Sequence, residues 1–108
     1  MDTVVPVTAD SLRYDHFSYA GEVDGTTPFL DSLAADGVFF ENAVATGFGT
    51  SSSFPGILAS ALPTEYDYQG LNENHHPVAK QLREHRIRTV SVTASTHVST
   101  LYGYDRGF

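Results

Sequence analysis

The sequence predicts an α/β fold, a mostly parallel sheet with helices on both faces, and three observations predict it. Short β-branched apolar runs recur at "TVVPVTAD" (residues 3–10), "VFFENAVA" (38–45) and "IRTVSVTAS" (87–95). Stretches with helical spacing and capping signals separate them. No internal repeat and no low-complexity segment beyond one serine run interrupts the pattern. Strands alternating with helices imply right-handed crossovers and a sheet covered on both sides.

Each element has its own local justification. "TVVPVTAD" reads as a buried parallel-type strand, with Pro6 costing it one ladder donor. "TTPFLDSLAADGV" reads as a helix: Thr27 caps it, Pro28 takes the first position, Phe29, Leu30, Leu33 and Ala34 make its apolar face, and Gly37 stops it. "VFFENAVA" is the second strand. "SSFPGILASAL" predicts a short helix with Pro55 in its first turn and Pro63 ending it. The Tyr-, Asn- and Gly-rich segment from Thr64 to Asn74 predicts a loop. "HPVAKQLREHRI" predicts a helix behind Pro77 with Val78, Ala79 and Leu82 at amphipathic spacing. "IRTVSVTAS" is the third strand, and "THVSTLYGYDRGF" has turn signals but no period.

Bulk composition narrows the functional classes. The 108 residues suffice for a single domain over 1–108, and 41% hydrophobic with 18% charged residues is a globular composition. Thirteen acidic residues against six basic ones give a net charge of −7, with Lys80 the only lysine. That balance excludes a nucleic-acid partner, which needs a concentrated basic face. It also suits a high-salt cytoplasm, and so a halophilic source. The absence of cysteine removes disulfides, thiolate metal sites and a cysteine nucleophile together. The first ten residues lack the basic start of a signal peptide, and no segment reaches the ~18 apolar residues of a membrane span. The expectation is a cytoplasmic protein with no membrane partner.

In parallel sheets, function collects at the carboxyl ends of strands. Asp10 closes the first strand, where a carboxylate needs a cation, a metal or several N–H donors, or else caps the next turn through Ser11 and Leu12. The stretch "ATGFGTSSSFPGILAS" places six hydroxyl-bearing residues and three glycines around the start of a helix. Thr50 to Ser53 there are either a serine-rich cap or a nucleophile beside an anion held at the helix N-terminus. His97 follows the third strand, which would bring it to the same rim. Glu73, His75 and His76 in "NENHHP" read as cap and solvent residues, and Arg13 and His16 as loop decoration.

Taken in order, "VTADSLRYDHFSYAG", "TTPFLDSLAADGVFFENAVATG", "TSSSFPGILASALP", "HPVAKQLREHRIRT" and "YGYDRGF" resemble the amino-terminal part of the sulfatase family within the alkaline-phosphatase superfamily, in a haloarchaeal-like version. The resemblance spans nearly the whole chain. It implies a partial α/β/α sandwich and metal-assisted hydrolysis of sulfate or phosphate esters, of small molecules or of glycans. It implies that Asp10 is a ligand to a divalent metal ion (calcium, magnesium, manganese or zinc), with Ser11 standing where the family often has a second acid. It also puts Thr50 at the nucleophile position, with Ser52 and Phe54 where the family has proline and arginine. An unmodified threonine there is what phosphate-handling relatives use. The remaining metal ligands of such enzymes lie beyond "YGYDRGF", so the resemblance further implies an amino-terminal fragment, inactive alone and completed by a complementing chain. The alternative is a non-catalytic remnant or small interaction module, in which Asp10 and Thr50 serve only caps and packing.

Overall fold

Local signals made the helices. A computed structural model describes residues 3–20, 25–65 and 70–108, so part of the expected 64–74 loop lies outside the described residues. Helix α1 spans Pro28–Asp36 between Thr27 and Gly37, the bounds the sequence predicts, but the Thr27 hydroxyl makes no capping bond to the helix backbone and donates to Asp31 instead. Helix α2 spans Thr50–Ala59, beginning two residues before the predicted stretch. Pro55 therefore sits inside α2 and not in its first turn; it has no N–H to offer the Ser51 carbonyl. Ser60 ends α2 in the left-handed region at φ 52°. Helix α3 spans Val78–Glu84 behind Pro77, with Ala79 buried and Val78 exposed. Arg86, at φ 61°, turns the chain out of it.

The parallel sheet is not there. Among the described residues the regular structure is three α-helices and several 3-10 turns, with no β-strand, which overturns the expected α/β sandwich. The three apolar runs are irregular and keep most of their side chains in solvent: Val4 is 83% exposed, Phe40 75% and Val92 95%. The physical reason lies in what each element needs. A helix closes its hydrogen bonds within four residues, whereas a parallel ladder must join runs separated by a crossover and pays loop-closure entropy first. β-branching and hydropathy favour an extended chain without supplying its partner.

The chain divides into two compact units, Met1–Ala43 and Val44–Phe108. In the first, 3-10 helices Tyr14–His16 and Ser18–Ala20 precede α1. The Phe39 ring lies parallel to Phe17 at 5.6 Å and edge-on to Tyr19 at 5.0 Å, an arrangement that suits the ring quadrupoles. The polar side of this unit is a knot around Asp31. Its carboxylate accepts from Ser18 Oγ (2.8 Å), the Tyr19 N–H (3.1 Å) and Thr27 Oγ1 (3.1 Å).

In the second unit Leu71, Val98 and Tyr104 form a small buried core, against which Phe54, Leu58, Ala59 and Tyr102 pack. Phe54 meets Tyr104 edge-on at 6.4 Å. The stretch without period, 96–108, carries two further 3-10 helices, Thr96–Val98 and Thr100–Tyr102. Gly107 lies so close to the Lys80 backbone that a Cβ would overlap it. Thr89 Oγ1 donates to the Gly107 carbonyl, and Arg83 Nη1 to that of Phe108 at 3.3 Å.

Candidate functional site

The hydroxyl-rich turn ahead of α2 sorts its oxygens into two groups. Ser52 Oγ accepts the Gly49 N–H at 3.1 Å and donates to the Gly49 carbonyl at the same distance. Ser53 Oγ donates to the Gly47 carbonyl at 3.0 Å, and Thr46 Oγ1 to the carbonyls of Ser52 and Ser53 at 3.3 and 3.4 Å. These three side chains are committed to the turn, as helix-capping hydroxyls are. The glycines permit the close approach: a Cβ on Gly47 would overlap Ser52, and one on Gly56 would overlap Thr46.

Thr50 and Ser51 are used differently. Thr50 is the first residue of α2 and half-buried. Ser51 Oγ lies 3.3 Å from His97 Nδ1, a contact across 46 residues of sequence. His97 is held on the short Thr96–Val98 helix, whose Val98 is anchored in the core of this unit, and its ring lies 5.7 Å from that of Tyr102. The imidazole is exposed. An alcohol and an imidazole within hydrogen-bond reach are the elements of proton transfer. Ser51 was not singled out from its neighbours by the sequence, since a serine in a run of three carries no local mark of a distant partner. His97 was, by its place after the third apolar run.

Asp10 belongs to the first unit. It is exposed, in a turn closed by the Leu12 N–H to the Ala9 carbonyl at 3.5 Å, with Ser11 next at φ 62°. A non-glycine residue at that φ is strained and holds the turn tight. His75 caps a turn, its Nδ1 accepting the Asn72 N–H at 3.1 Å. Arg13 is an ion-pair partner, with Nη2 at 2.5 Å and Nε at 2.9 Å from the Asp15 carboxylate. That bidentate hydrogen bond, with the charge attraction behind it, holds the Asp15 carboxyl below its ordinary range and raises the Arg13 guanidinium.

The profile of the sulfatase family matches residues 2–108, and the chain belongs to that family of sulfatase-like hydrolases. Comparison with curated proteins and with solved structures gives no match. The family generally uses a divalent metal. Among the described residues no three His, Cys, Asp or Glu side chains are gathered as such an ion requires, so this donor set does not by itself make the site. None of the described helices is long and apolar enough to cross a membrane.

Proposed function

We propose that the chain carries the nucleophile and one metal-binding carboxylate of a sulfate or phosphate ester hydrolase, Thr50 and Asp10 respectively. The observation that supports it is the position of Thr50: it opens α2 one residue before the Ser51–His97 pair. The α2 dipole favours an anion there by about 0.3–1 kcal/mol. That field, and not the Ser52 and Ser53 N–H groups, is the helix's contribution, because both amides turn back to the Gly49 carbonyl at 3.2 and 3.0 Å.

Thr50 Oγ1 attacks the sulfur or phosphorus, and the bond to the ester oxygen breaks. The threonine proton passes to a base and the departing oxygen takes up a proton, roles that His97 can fill in succession. Water then cleaves the ester on Thr50, releasing sulfate, phosphate or, from a diester, a phosphate monoester, and restoring the hydroxyl. Asp10 would contribute one carboxylate to the divalent cation that the family uses, which would neutralise charge on the ester oxygens.

The test is hydrolysis of p-nitrophenyl sulfate and bis-p-nitrophenyl phosphate, with calcium, magnesium, manganese or zinc supplied, by this chain together with a complementing chain that carries the family's remaining metal ligands. Thr50→Ala is expected to lower the rate about a thousandfold or more, and Thr50→Ser to retain much of it. Equal rates in wild type and Thr50→Ala would remove Thr50 from the chemistry. No hydrolysis by the complemented wild type with any of the four cations would favour the non-catalytic module.

A further inference from the structure

The turn leaves one question that the nucleophile assignment does not answer: why does one serine of three reach across the fold when its neighbours close on their own backbone? Ser52 and Ser53 each bond within six residues, while Ser51 bonds at 46. We infer that Ser51 is a positioning residue for His97: its hydroxyl holds the imidazole at Nδ1 in either tautomer, so that Nε2 can both give and take a proton. This rests on the reading of Thr50 and His97 given under Proposed function.

A hydroxyl at Nδ1 can hold either tautomer, which other partners cannot. A backbone carbonyl or a carboxylate accepts only, so it demands Nδ1–H and leaves Nε2 as a lone pair, a base and never a neutral acid. A serine donates and accepts. When Ser51 Oγ donates to Nδ1, the proton of His97 sits on Nε2 and can be delivered to a departing oxygen. When Nδ1–H donates to Ser51 Oγ, Nε2 is free to take a proton from an attacking alcohol or water. Ester transfer to a hydroxyl and away again can run from the second state throughout: Nε2 takes the proton of the attacking alcohol, the imidazolium so formed gives it to the departing oxygen, and Nδ1–H stays on Ser51 Oγ. One proton arrives at Nε2 and one leaves it, so the ring ends as it began.

The setting supports a positioning role. An exposed imidazole turns freely about its side-chain bonds unless something fixes it, and this one meets Ser51 at Nδ1 and the tilted Tyr102 ring. Nε2 has no hydrogen-bond partner among the described residues. The serine is itself fixed by its place in the first turn of α2, and the histidine by the buried Val98 beside it.

Nitrogen-15 NMR of the histidine rings in the whole chain tests the contact with no substrate present. The expected result is a His97 Nδ1 signal displaced from that of a solvated imidazole, with an Overhauser contact from His97 Hε1 to the Ser51 β-protons. Ser51→Ala should return Nδ1 to the solvated value, and Ser51→Thr should keep the displacement. Absence of that Overhauser contact in wild type, or a Nδ1 signal unchanged in Ser51→Ala, overturns the inference. Where hydrolysis is measurable, Ser51→Ala should lower kcat roughly tenfold with KM unchanged; an unchanged kcat also overturns it. A Thr50→Ala protein that keeps full activity would defeat the nucleophile assignment instead, and would leave the NMR result standing.

Discussion

Two regions of this chain are rich in short polar side chains, and they use them in opposite ways. In the first unit Ser18, Thr27 and Asp31 close on one another: Ser18 Oγ and Thr27 Oγ1 are 2.9 Å apart, and both donate to Asp31. The Thr27 N–H also returns to Ser18 Oγ at 3.0 Å. That knot fastens the turn before α1 and is complete within itself. In the turn before α2, Thr46, Ser52 and Ser53 do similar work, but Ser51 bonds an imidazole far along the chain. A count of hydroxyls therefore marks caps and sites alike, and the reach of the partner separates them.

The largest expected effect comes from the first region. Asp31→Ala leaves three donors without their acceptor and should cost about 2–3 kcal/mol, read by urea unfolding. If the comparison holds, ester hydrolysis by the folded variant is unchanged; a parallel loss of activity would show that the knot is more than structural. Gly56→Ala pushes a Cβ against Thr46 and should cost about 1–3 kcal/mol. Here activity should fall as well, because the displaced Thr46 braces the backbone of Ser52 and Ser53. Ser11→Gly should stabilise by about 1 kcal/mol in thermal unfolding, since only glycine accepts φ 62° without strain.

The smallest effect concerns the exposed Arg13–Asp15 pair, whose contribution to stability salt and solvent screen. The Asp15 carboxyl is depressed chiefly by the hydrogen bond from Arg13; desolvation opposes this, and charge attraction to Arg13 adds a smaller lowering. Its contribution is present above the ordinary carboxylate pKa and is lost as pH falls through the depressed one. Arg13→Ala should return Asp15 to the ordinary range in a carbon-13 titration, and an unmoved titration would dismiss the pair.

Much of this was legible where the cause is local. Thr27, Pro28 and Gly37 bracket α1 because a fixed φ and a stop act within a turn, although the Thr27 hydroxyl serves Asp31 and not the helix backbone. Pro77 likewise opens α3. The α2 boundary was misread because Pro55 was treated as a start signal, while the start is set upstream by Gly49 and the Ser52 side chain. The three apolar runs were read as strands on composition alone, and a ladder depends on partners that composition does not name. At the site, Thr50 is singled out by the family resemblance and His97 by position, whereas Ser51 is identified only by a contact between two distant segments. The family itself was legible from the ordered set of motifs, which the match over residues 2–108 bears out.

The most direct measurement of the central claim is to quench the protein during turnover of p-nitrophenyl sulfate or bis-p-nitrophenyl phosphate and map the adduct by peptide mass spectrometry. A sulfuryl group from the sulfate ester, or a p-nitrophenylphosphoryl group from the phosphate diester, on the Thr50 side chain is the predicted result. Its attachment to Ser51, Ser52 or Ser53 with Thr50 unmodified would contradict it.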